Sequence, residues 1–140
     1  MEPRSTIDVA PYAQAVTLDG AIPRCNIGPD EIAKRRQSAV VGSVVVAVVA
    51  VALVALRVPA PARLLFWPLA TGAAVMWLQV VHRFCVAFGA LGLENFGRRG
   101  SQVHVDPRLR AADRRRVLQL VLEGSLIGLV VTLVLVAIPA

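Results

Sequence analysis

The chain has 140 residues, is 56% hydrophobic, and carries a formal net charge of +6 with a mean hydropathy of +0.66. Its apolar residues are gathered into three blocks, Ala39–Leu56, Leu64–Val81 and Val117–Ile138, where a soluble domain of this size would spread them in short periodic runs. This patterning excludes an ordinary soluble fold, and it excludes nucleic acid as the partner of the basic charge, because the arginines flank the apolar blocks where lipid headgroups compete for them.

Met1 to Pro23 is broken by Pro3, Pro11, Gly20 and Pro23 and keeps neither a helix nor a strand period. Residues 1–28 therefore read as a flexible arm, and residues 29–140 as a three-helix membrane domain. The first 37 residues hold no apolar signal-peptide core, so the first span is expected to serve as its own insertion signal. Gly28 permits a sharp turn into a helix and Pro29 suits the first helical position, where no amide hydrogen bond is lost. Asp30 and Glu31 complement the positive end of the helix dipole, and Lys34, Arg35 and Arg36 mark the headgroup level. From Ala39 to Leu56 there are eighteen residues without a charge. As a helix they measure ~27 Å, close to the ~30 Å hydrocarbon core of a bilayer.

Pro59 and Pro61 enforce a turn, after which Phe66 and Trp67 sit where an interfacial aromatic belt belongs. A second span reaches His82 and Arg83 at the opposite interface. Phe84–Phe96 is still apolar, with Phe84, Phe88 and Leu91 spaced for one helical face, and reads as a segment that bends to lie along the surface or returns against the bundle. Gly97 and Gly100 mark a loop. Asp106 and Pro107 form a good helix start for a third helix that carries Arg114, Arg115 and Arg116 before crossing the membrane. The fold class is thus all-α integral membrane, with spans at about 38–56, 64–83 and 117–138 and an interfacial segment at about 84–96. Thirteen Lys and Arg fall on the side of the amino terminus and two, Arg57 and Arg63, on the other. The positive-inside rule then places the amino terminus in the cytoplasm and the carboxyl terminus outside.

Chemistry-bearing residues are few. Cys25, His82, Cys85 and His104 fall on the basic side, and His82 and Cys85 are three apart, a spacing that shares a helical face. Cys25, His82 and Cys85 together would form a zinc, other transition-metal or redox site if their segments converged. The competing reading makes Cys85 a small apolar residue and His82 an interfacial anchor. Glu123 is the lone charge inside a span, which raises either a pairing with His82 or Arg83 or an oligomeric transport path built around it. Gly124 and Gly128, like Ala39, Ser43 and Ala47, allow close helix approach within a bundle or between copies. Lys34, Arg35, Arg36, Arg114, Arg115 and Arg116 are expected to contact anionic headgroups. Paired carboxylates, a phosphate loop and a nucleophile motif are missing from the sequence.

Asn26-Ile27-Gly28 followed by a charged helix start, and Trp67-Pro68-Leu69-Ala70-Thr71-Gly72 leading on to Phe84-Cys85, resemble the YgaP-like transmembrane domain over residues 25–96. That family is a small bacterial helical hairpin, sometimes fused to a sulfur-transferring rhodanese domain. The resemblance implies a bacterial inner-membrane protein and carries over no catalytic residue. The family hairpin continues Cys-Pro, whereas Cys85 is followed by Val86. The expectation from the residues is a non-catalytic accessory subunit of a larger membrane complex or a self-associating bundle, without a cofactor. The alternatives are a thiol or metal protein, redox or sulfur-related, and a transporter.

Overall fold

The computed structural model describes residues 26–95, 103–105 and 107–139. Cys25, the arm before it, the loop around Gly97 and Gly100, and the Asp106 helix start lie outside the described residues. Five α-helices are described: α1 (Pro29–Ala55), α2 (Ala60–Arg63), α3 (Trp67–Val81), α4 (Val86–Leu91) and α5 (Pro107–Ala137). A 3-10 turn over Leu64–Phe66 joins α2 to α3. Three stretches are long and apolar enough to cross a membrane, Pro29–Ala55, Ala60–Val81 and Leu109–Ala137. The chain is an all-α, multi-pass membrane protein. Extended pairing among the described residues is a two-residue ladder, β1 (Leu93–Glu94) against β2 (Val103–His104), antiparallel with Leu93 opposite His104, and a single bridge between Ile27 and Asn95.

α3 is the centre of the bundle, packed between α1 and α5. In the most apolar window of each span, 28% of residues are buried in the third, 17% in the second and only 6% in the first. The α3–α5 contact is backbone-close because Gly124 lies against Val75 and Gly128 against Thr71. The two glycines therefore serve a contact within the chain. α1 approaches α3 through Ala39, Gly42 and Ser43, and Ser43 Oγ accepts a 2.8 Å hydrogen bond from Trp77 Nε1. Ala47 is exposed. The rest of α1 turns Val40, Val41, Val44, Val45, Val48 and Val51 outward.

Two helix ends share one unusual solution. After α1, Val58 N–H bonds Leu53 O and Arg57 N–H bonds Val54 O; after α3, Phe84 N–H bonds Gln79 O and Arg83 N–H bonds Val80 O. Both are Schellman motifs, whose left-handed position is usually glycine. Here it is arginine each time, with φ of 50° at Arg57 and at Arg83. An L-residue costs roughly 1 kcal/mol more than glycine in that conformation.

The turn at Arg83 settles the course of the chain after the second span. α3 stops at Val81, His82 is its C-cap, and α4 begins at Val86 with Cys85 as its N-cap. His82 and Cys85 thus belong to the ends of two helices and do not share a face. α4 returns against α5. Phe84, ahead of α4, is buried on Gly89, and Phe88 is buried, but Leu91 is 68% exposed, so the three do not form one apolar face. Asn26, Ile27 and Gly28, placed with the arm by composition, are buried and hydrogen-bonded into the bundle.

Candidate functional site at the basic end of the bundle

The polar residues of the basic end divide into three groups. The first is an amide clamp. Asn26 Nδ2 donates to Cys85 O at 3.1 Å while Cys85 N–H donates to Asn26 Oδ1 at 2.6 Å. The backbone of Asn26 is held as well: its N–H reaches Arg83 O and its carbonyl accepts from Asn95 N–H. Ile27 bridges to Asn95 in parallel, and Gly28 N–H donates to Asn95 O at 2.7 Å. Gln79 Oε1 accepts from Val86 N–H at 3.2 Å, so Asn26 and Gln79 together satisfy the free amides that start α4. Glu31 is buried and turns inward, accepting from Asn95 Nδ2 at 3.4 Å.

Cys85 is a free, fully buried thiol in an apolar cluster with Ile27 and Phe88. Removing Asn26 would strand the buried Cys85 N–H, at a cost of roughly 1–3 kcal/mol, and take one of two donors from Cys85 O, which keeps the bond from Gly89 N–H. Asn26→Ala is therefore expected to open the clamp. In a Cys25→Ser background, Cys85 should then react with a small maleimide that leaves the parent untouched. Equal protection in both proteins would show that the amide pair does not hold this corner.

The second group is a charged cluster where α3 ends beside α5. Arg116 Nη2 lies 2.8 Å from His82 Nδ1, and Arg116 Nη1 donates to Gln119 Oε1 at 3.2 Å. His82 Nε2 lies 4.0 Å from Glu123 Oε2, whose side chain is 47% exposed. The intramembrane carboxylate thus sits on one side of the imidazole and the guanidinium on the other. Among the described residues the carboxylate's ion-pair partner is His82, not Arg83.

The third group is the set of basic residues expected at the headgroups, which the structure sorts by exposure. Lys34, Arg36, Arg114 and Arg115 are exposed. Arg35 folds inward with its guanidinium carbon 5.9 Å from the Phe88 ring centroid, a cation–π contact. Arg116 is engaged by His82. His104 lies on β2, exposed.

Among the described residues no three His, Cys, Asp or Glu side chains gather as metal ligands. His82 faces Arg116 and Glu123, Cys85 faces Ile27 and Phe88, and Cys25 lies outside the described residues. Sequence reasoning missed Asn26, Gln79 and Asn95 as the residues that organise this end. Asn26 was visible as part of Asn26-Ile27-Gly28, yet its partners Arg83, Cys85 and Asn95 are far along the chain, and nothing local announces them. No family model, curated protein or solved structure matches the chain.

Proposed function

We propose that this chain is a non-catalytic accessory subunit of a larger membrane assembly in the bacterial inner membrane, bound through the outward face of α1. One observation carries the reading: the buried polar side chains Asn26, Gln79, Arg63 and Thr132 are each hydrogen-bonded to the chain's own backbone, which is a building role. α1 supports the choice of surface. It is attached along one flank only and leaves a valine-rich face free for another helix or for lipid. The α3–α5 seam already occupies Gly124 and Gly128, which favours α1 over that pair as the docking element. Partners of this kind are other membrane subunits or a second copy. The test is mass spectrometry of the tagged protein extracted natively from its own membranes, after crosslinking in place. Co-purifying subunits at fixed stoichiometry are expected. A protein that is monomeric and alone under both conditions would end this reading.

The bacterial inner membrane is what the resemblance to the YgaP-like domain implies. The orientation follows from the thirteen-to-two charge asymmetry, with the amino terminus cytoplasmic. In a Cys25→Ser, Cys85→Ala background, a cysteine at Pro61 is expected to react with an impermeant maleimide on intact cells, and one at Ala111 only after permeabilisation. The reverse pattern would invert the topology.

A further inference from the structure

A groove of about 670 Å³ opens on the side of α1 at the basic end. It is lined by Pro29, Ile32, Ala33, Arg36, Gln37, Val40 and Val41 of α1 and by Arg83. The α1 residues recur at three- and four-residue steps, so they form one continuous face. No acidic side chain lines it. Arg36 is the last charge before the uncharged stretch, and Val40 and Val41 below it are 47% and 58% exposed. The groove therefore straddles the boundary between polar and apolar layers, with two guanidiniums at its upper end and an open apolar track at its lower end.

We infer that this groove is a binding site for one anionic phospholipid, with the phosphate between Arg36 and Arg83 and an acyl chain along Val40 and Val41. Three features agree on that occupant. Two arginines lining one groove suit a phosphodiester, which accepts the paired N–H donors of a guanidinium. The open groove is far larger than a free phosphate fills, and its lining is chiefly apolar. The third feature is the backbone of Arg83. It occupies the left-handed position of a Schellman motif, where glycine is easier. Strain of this kind persists where a side chain is needed at that spot. Arg83 thereby lines the groove beside α1.

The same strain supplies a clean variant. Arg83→Gly relieves the backbone and deletes the guanidinium, so it separates lipid binding from folding. Full-length protein in detergent is titrated with equal amounts of phosphatidylglycerol and phosphatidylcholine, and retained lipids are counted by native mass spectrometry. The parent is expected to retain phosphatidylglycerol over phosphatidylcholine by about tenfold, and Arg83→Gly and Arg36→Gln are each expected to lower that ratio about fivefold. Helix content should not change, and the thermal midpoint of Arg83→Gly should be equal or higher. Soluble glycerol phosphate at millimolar concentration should not displace the lipid. A photoreactive residue at Val41 should give lipid adducts in membranes. An unchanged ratio in both variants overturns the site. Displacement by glycerol phosphate would make it a soluble-phosphate site, and crosslinks from Val41 to residues 1–25 or to a second protein would give the groove a peptide occupant; either result overturns the lipid assignment.

Discussion

Gly128→Ala is expected to destabilise the bundle by about 2–3 kcal/mol, more than any other single methyl added to this chain. A Cβ at Gly128 would stand 2.6 Å from Thr71 N and 2.8 Å from Thr71 Cα. Both are backbone atoms, so no side-chain rotation relieves them and α3 must move away from α5. In a bilayer that separation is costly because helix association rests on close packing and hydrogen bonding, without a hydrophobic force between helices. Gly124→Ala should cost less, since the backbone atoms there, Val75 N and Cα, stand further off at 3.2 Å and 3.4 Å, and the close contact is with the side-chain atom Val75 Cγ2. Gly72→Ala is the control. Nothing lies within 4 Å of a Cβ there, so the change should be neutral or stabilising by up to about 1 kcal/mol through helix propensity. Reversible unfolding in mixed micelles with increasing SDS reads all three. If Gly128→Ala is as stable as Gly72→Ala, the α3–α5 seam is not the core of the fold.

Arg63→Met is expected to be the most damaging change at the other end of the molecule, by about 2–4 kcal/mol. Arg63 is fully buried where α2 meets the 3-10 turn, and its guanidinium gathers carbonyls from two separate places. Nε donates to Val58 O at 2.8 Å, and Nη1 donates to Leu135 O at 3.0 Å and Ile138 O at 2.7 Å. The last two are orphan acceptors at the carboxyl end of α5, where the helix dipole is negative and favours a cation. One side chain thus satisfies the end of the third span and ties it to the turn between the first two. Nearby, Phe66, Ala70 and Leu135 bury one another with α1 residues packed around them, so loss of the cap should also loosen that cluster. Arg63→Lys should recover only part of the stability, because a single ammonium lacks the planar fork that reaches both places. Amide hydrogen exchange should show the terminal turn of α5 opening first. Unchanged protection over residues 133–138 in Arg63→Met would contradict the assignment.

The spans were legible because a membrane helix is specified locally. Length, lack of charge, and Pro29 and Pro107 at helix starts are properties of contiguous residues, and α1 and α5 begin where those prolines stand. What failed to show was whatever depends on residues far apart. Arg63 read as a loop charge to be counted for orientation, because the two carbonyls it caps on α5 lie 72 and 75 residues downstream. His82 and Cys85 read as one face because three-residue spacing means that only inside a continuous helix, and an arginine in a left-handed conformation broke the helix between them. Glycine at position 83 would have given a visible stop signal. Gly124 and Gly128 were visible as small residues, but whether they faced α3 or another copy depended on Thr71 and Val75, which no pattern within α5 reveals.

The amide clamp has a consequence for how the chain is made. Asn26 stands ahead of the first span, and its side-chain partner Cys85 is 59 residues further along, beyond the second span. Asn95, which holds the same strand from the other side, comes later still. During synthesis the first helix is therefore delivered to the membrane before any of the peptide that fixes its amino-terminal end has left the ribosome. Lys34, Arg35 and Arg36, with Arg4 and Arg24 ahead of them, are the basic residues on its amino-terminal side at that stage. The clamp is a latch that closes on a topology already chosen, and a nascent chain halted between the second span and Asn95 would hold its first helix in place by charge and by α3, with the latch still open.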